Sequence, residues 1–220
     1  MIKSRKSRIV LISLFAVFAL TMYLMSAVRI TAFDGNMYAG FFRANDIYTK
    51  LPDASERAEN LLNYLKGGKE INASYFNEKE ISHLQDVRGL FSLSSMLLFL
   101  SMVFCLGIMG YAFFKKDLSL IASCLIAGGA LTLVFIIIIS LLSLRFEWLF
   151  VKFHELLFTN NLWLMNPATD KIIILLPDPF FKMAAKRIFL TAGALSFGML
   201  TAGLIVKYME KKLNGVLQHN

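Results

Sequence analysis

Four stretches of the sequence are each long and apolar enough to cross a lipid bilayer, and nothing else in the chain restricts its fold as much. They run from Ile9 to about Arg29, from Leu90 to Phe114, from Leu118 to Leu144 and from Ile188 to Val206. A helix of about 20 apolar residues is what the hydrocarbon core requires. The first stretch is too long for the core of a signal peptide, and no convincing cleavage site follows it, so it reads as a retained span. With 57% hydrophobic and only 17% charged residues among 220, and a mean hydropathy of +0.61, a soluble domain would have no way to hide its apolar surface. The predicted fold is an all-α integral membrane protein, a single membrane domain over residues 1–220.

The formal charge of +8 sits mainly at span ends. Lys3, Arg5, Lys6 and Arg8 precede the first span, Lys115 and Lys116 fill the tight turn between the second and third, and Lys207, Lys211 and Lys212 follow the fourth. Positive charge next to spans marks the cytoplasmic side. All three clusters share that side only if the chain crosses four times with both termini cytoplasmic. Lys182, Lys186 and Arg187 pull the other way, but the first helix usually dominates. No zinc-finger, RRM or helix-turn-helix pattern accompanies the charge, so no nucleic-acid partner is expected. Cys105 and Cys124 lie inside apolar runs and read as small buried hydrophobes.

This topology leaves two extracytoplasmic segments, about 31–88 and 145–187, that would form a cap of short helices and loops. In the first, "LPDASERAENLLNYLKGG" predicts a short amphipathic helix with Asp53 as N-cap. Ala58, Leu61, Leu62 and Leu65 share one face, and Gly67-Gly68 ends it. "NEKEISHLQDVRGL" follows, with Asn77 and Glu80 spaced as a capping box. A helix starting there runs straight into the second span. It carries His83 and Asp86 as i,i+3 neighbours, and Arg88 at the membrane boundary.

In the second segment, "RFEWLFVKFHELLF" continues the helical pattern of the third span and aligns Phe150, His154 and Phe158. Trp148 and Trp163 suit an interfacial belt, and Asn160-Asn161 predicts a turn. The run from Ile172 to Leu176 is too short to span; a strand and an interfacial or re-entrant piece both fit. Asp178 and Pro179 then read as N-cap and first residue of a helix entering the fourth span.

Each outer segment thus brings one histidine towards the same boundary, while the third, His219, lies in the polar tail. An imidazole accepts a proton near neutral pH and suits general-base work on an amine or hydroxyl. Asp86, one turn from His83, is placed to fix its tautomer. An Arg, an indole or a backbone N–H would steady an oxyanion. These parts describe acyl transfer at a membrane surface. The sequence has no G-x-S-x-G elbow, P-loop or H-E-x-x-H pattern, and neither metal nor cofactor is expected. The competing readings are a non-catalytic membrane scaffold or export-accessory subunit, and another outer-leaflet acyltransferase or lipid hydrolase.

The order of "HLQDVR" before the second span, "FHELLFTNNLW" after the third and "LPDPFF" before the fourth resembles the bacterial lipoprotein intramolecular transacylases (Lit), over nearly the whole chain. The resemblance implies a bacterial cell-membrane enzyme with its site on the extracytoplasmic side. It would act on diacylglyceryl-modified lipoproteins, moving the sn-2 acyl chain to the α-amine of the N-terminal Cys. It also implies His83 and His154 as catalytic residues, with Asp86, Arg88, Asn160 and Trp163 supporting them. Base-and-acid catalysis by the pair and a covalent acyl-imidazole are both compatible with it.

Overall fold

The computed structural model describes residues 5–68 and 70–218; Lys3 and His219 lie outside them. The described residues form helices α1 (Arg5–Ala32), α2 (Gly35–Ala44), α3 (Ile47–Lys50), α4 (Ala54–Leu65), α5 (Glu78–Phe114), α6 (Leu118–Leu142), α7 (Phe146–Leu157), α8 (Lys171–Leu175) and α9 (Asp178–Gln218). Four helical stretches are long and apolar enough to cross a membrane: α1, α5, α6 with α7, and α9. A single 3-10 turn, Ser143–Arg145, joins α6 to α7. The chain divides into two compact units.

The first unit takes the described residues of Met1–Ala27, Met96–Leu141 and Ile188–Asn220. Its core is built from Phe15, Ala19, Cys105, Ile108, Leu120, Cys124 and Met199. Both cysteines are free thiols, buried as expected. Close helix approach depends on small residues. A Cβ at Gly129 would stand 2.7 Å from the Leu200 nitrogen and 2.8 Å from the Ser196 carbonyl oxygen, and one at Gly203 would stand 2.8 Å from the Ile126 nitrogen. Backbone cannot yield as a side chain does, so α6 and α9 meet only because these positions are glycine. At the α5–α6 turn, Asp117 accepts two bonds of 3.1 Å from the Arg8 guanidinium and caps α6 by accepting the Leu120 N–H at 2.8 Å. The outward faces carry Leu106, Phe113, Ile137 and Phe197, all exposed, as lipid-facing helices require.

The second unit comprises Val28–Ser95 and Leu142–Arg187. Its core joins Phe41 and Phe42 of α2, Leu61 and Leu62 of α4, Leu84 of α5, Leu175 of α8 and Phe180 of α9. The amphipathic face predicted for α4 is the buried one, with Ala58, Leu61 and Leu62 buried and Leu65 packed against the same core. Gly67 adopts a positive φ of 104° beyond its end, the backbone state that glycine reaches without steric cost.

Asp53 departs from its predicted role. It precedes α4, but its side chain makes no cap bond. Its Oδ1 instead accepts the Arg57 Nε–H at 2.7 Å, because a charge-assisted bond one turn away outcompetes a neutral backbone N–H. Asp34 does cap: its Oδ1 accepts the Asn36 N–H at 3.0 Å, while Oδ2 pairs with Arg187. Burial pushes the Asp34 carboxyl up, but the Arg187 guanidinium and the Asn36 and Met37 N–H groups outweigh it and hold the carboxyl below the usual range. The short run near Ile172 is helical, which settles the choice between strand and non-strand.

Candidate active site

The site grows from the start of α5. Asn77 and Glu80 form the predicted capping box: the Asn77 side chain accepts the Glu80 N–H at 2.9 Å, and Glu80 Oε2 accepts the Asn77 N–H at 2.7 Å. Such a box satisfies two otherwise orphaned donors and fixes where a helix begins. It therefore fixes the rotational phase of α5, and so the direction in which His83 points. His83 is buried, and its Nδ1 has no hydrogen-bond partner.

His154 comes from the last turn of α7 and is also buried. Its Nδ1–H donates to the Phe150 carbonyl at 2.7 Å. That bond selects one neutral tautomer and leaves the Nε2 lone pair as the basic position. Beyond α7 the backbone turns extended at Phe158, whose N–H closes the helix on the His154 carbonyl at 2.9 Å. The predicted turn follows, with Asn160 Oδ1 accepting the Leu162 N–H at 3.0 Å. This reversal lays Trp163 back on His154, with ring centroids 4.9 Å apart and planes 30° apart.

The two histidines, distant in sequence, face each other with centroids 6.2 Å apart. Phe158 touches both, at 5.1 Å from His83 and 5.5 Å from His154. Phe150 lies 4.2 Å and Phe153 5.4 Å from His154. Two imidazoles walled by aromatic rings, one with a lone pair assigned by a backbone acceptor, make a site suited to moving protons beside a greasy group.

The supporting residues are divided. Asn160 and Asp86 meet: the Asn160 amide donates to Asp86 Oδ2 at 2.9 Å. Asp86 was expected to fix the His83 tautomer, but His83 Nδ1 is unpartnered, and the carboxylate instead anchors the turn that carries Trp163. Arg88 is not brought to the pair. Five residues at about 100° each turn it about 140° from His83 around α5, and its guanidinium stands 4.6 Å over the Tyr64 ring.

Two buried carboxylates fasten the start of α5, Glu80 of the predicted capping box and Asp170, which sequence reasoning missed. Glu80, fully buried, also accepts the Ile172 N–H through Oε1 at 2.6 Å. Asp170 accepts the Asn77 amide at 2.9 Å, the Asn166 N–H at 2.7 Å and the Thr169 hydroxyl at 2.9 Å. The Asn166 N–H, then the Asn77 and Thr169 donors and the Lys79 charge, outweigh burial and hold the Asp170 carboxyl below the usual range. Together they fasten the 166–172 segment to the start of α5. The capping spacing signalled Glu80, but nothing local signalled a bond from Asn77 to Asp170 across 93 residues. Among the described residues, no three of His, Cys, Asp and Glu converge to hold a metal ion.

The family model for lipoprotein intramolecular transacylase Lit matches residues 13–181, well over half of the chain. The fold is similar to that of the membrane integral lipoprotein intramolecular transacylase Lit from Bacillus cereus, with a TM-score of 0.85 and 20% identity, covering 95% of this chain and 100% of that one. Structures of the Bacillus cereus protein with a histidine replaced by arginine or by alanine each match with a TM-score of 0.80 and 19% identity over 94% of this chain. They are covered over 95% and 96% of their own lengths, respectively. No curated protein sequence gave a match. The four apolar helices, the order of the motifs and the family match lead to one conclusion: this chain belongs to the Lit family of lipoprotein intramolecular transacylases.

Proposed function

We propose that this protein moves the sn-2 acyl chain of a diacylglyceryl lipoprotein from its glyceryl ester to the α-amine of the N-terminal Cys, leaving a lyso-form lipoprotein. The observation that carries the reading is the facing pair, with His154 Nδ1 committed to the Phe150 carbonyl. His154 Nε2 takes the proton from the amine as the new N–C bond forms. That proton passes from His154 to His83, which delivers it to the glyceryl oxygen as the ester C–O bond breaks, so both rings end as they began. No net proton is consumed, and the ester becomes an amide and an alcohol.

Ester and amine belong to one molecule, so proximity supplies much of the acceleration. The protein's share is to orient the two groups and to hold the acyl chain against aromatic walls. Asn160 and Asp86 keep Trp163 on His154. The basic flanks at Arg5, Lys6 and Arg8, at Lys115 and Lys116, and at Lys207, Lys211 and Lys212 support a site on the extracytoplasmic side of the bacterial membrane.

A diacylglyceryl peptide with different acyl chains at sn-1 and sn-2 tests this directly. After incubation with the purified protein, mass spectrometry should find the sn-2 chain in an amide at the N-terminal Cys. The sn-1 chain in that amide, or release of free fatty acid in its place, would refute the reading.

A further inference from the structure

Five arginines in the described chain are half-buried: Arg8, Arg29, Arg57, Arg88 and Arg187. A half-buried guanidinium needs an acceptor, because burial without one forfeits hydration that nothing replaces. Three have a carboxylate partner: Arg8 pairs with Asp117, Arg57 with Asp53 and Arg187 with Asp34. Arg29 and Arg88 pair with no carboxylate among the described residues. Arg29 donates only to the Ser95 hydroxyl, at 2.5 Å.

These two gather round one aromatic patch. Arg88, Phe91 and Ser95 form an i, i+3, i+7 stripe along one face of α5. Phe91 packs on Phe33 with ring centroids 5.0 Å apart. Arg29 stands 5.2 Å over that same Phe33 ring, and the Lys66 ammonium stands 5.5 Å over it. Arg88 stands over Tyr64, two residues before Lys66. Arg29 and Lys66 thus share one ring, and Arg88 covers the ring two residues before Lys66. The carboxylate next door, Asp34, is already taken by Arg187.

From this we infer a binding site for the phosphate of an anionic phospholipid, formed by Arg29, Lys66 and Arg88 and separate from the histidine pair. Arginine forks and an ammonium are the groups that hold phosphate oxygens. The level of the site favours a lipid over a free ion. Arg29 lies in the last turn of α1, and Arg88 lies just before the apolar run that begins at Leu90. Both are therefore at the ends of apolar spans, where headgroups sit. Phe33 and Phe91 offer the lipid's acyl region an apolar wall beside the charges.

Native mass spectrometry of the full chain tests the inference, after purification in neutral detergent and exposure to phosphatidylglycerol or phosphatidylcholine. The protein should retain phosphatidylglycerol in preference to phosphatidylcholine. R88Q, and R29Q with R88Q, should each lower that retention, by about tenfold or more per arginine if each gives one charge-assisted bond. R43Q and R145Q remove exposed arginines and should leave it unchanged. R29K with R88K keeps the charge without the fork, so intermediate retention separates loss of binding from loss of folding. Equal retention of both lipids, or equal loss in R43Q, would overturn the inference. Thermal protection by inorganic phosphate as large as that by phosphatidylglycerol would overturn the lipid assignment.

Discussion

Replacing Asn160 with Ala probes the support of the pair more sharply than replacing a histidine. The Asn160 amide gives Asp86 Oδ2 a bond of 2.9 Å, and its Oδ1 accepts the Leu162 N–H at 3.0 Å. The turn they hold carries Trp163, whose ring stacks on His154 at 4.9 Å. A hydrogen bond to a charged partner contributes about 1.5–3 kcal/mol. Asp86 and Asn160 are only half-buried, so solvent screening puts the expected loss near the lower end. If Trp163 then leaves His154 misplaced, about 1.5–2 kcal/mol in the transition state is a fall of roughly ten- to thirtyfold in kcat. The assay is the rate of lyso-form production from a diacylglyceryl peptide for wild type, N160A, D86A and the double variant. The two single losses should not multiply, with a coupling of about 1 kcal/mol or more between them. A merely structural bond would lower melting temperature and leave kcat per folded molecule intact. Unchanged kcat in N160A, or fully additive losses, would refute the positioning role.

Other outcomes follow from the same geometry. Gly129→Ala places a methyl 2.7–2.8 Å from α9 backbone atoms, so it should destabilise the protein by about 1–3 kcal/mol, read as a lower thermal midpoint in detergent. Glu80→Ala strands the Ile172 N–H, at a cost of about 1–3 kcal/mol where water cannot reach it, and frees the Asn77 N–H at an exposed residue, where water takes the place of the carboxylate. Hydrogen exchange should rise at both residues. The Asp170 carboxyl is held below its usual range, so its contribution is present above the unfolded pKa of about 3.9 and is lost as pH falls through the lower folded value. In D170N the thermal midpoint should therefore fall less steeply on acidification, and an unchanged slope would contradict this.

The four apolar runs were readable because each exceeds what a soluble helix needs. The second and fourth begin within longer helices, since Glu78 and Asp178 start α5 and α9 well before lipid-type composition begins. The histidine pair was legible for the same reason: each His lies on a helix continuous with a span, so its position was set by phase and length. What stayed hidden depends on contacts between distant residues. Asp86 turned to Asn160, 74 residues away, where local spacing pointed to His83. Asp170, and the second bond that Glu80 makes beyond its predicted cap, are explained only by the fastening of the 166–172 segment. Asp53 gave way to a stronger local partner, Arg57. The direction of Arg88 was in fact available from helical phase, because five residues cannot share a face.

The most direct test of the central claim compares wild type, H83A, H154A and the double variant in converting a diacylglyceryl peptide to its lyso form. If the two rings act as a unit on one ester, each single variant should lose nearly as much activity as the double, because members of one catalytic unit are strongly non-additive. Substantial activity in either folded single variant, or losses that multiply in the double, would contradict a shared site.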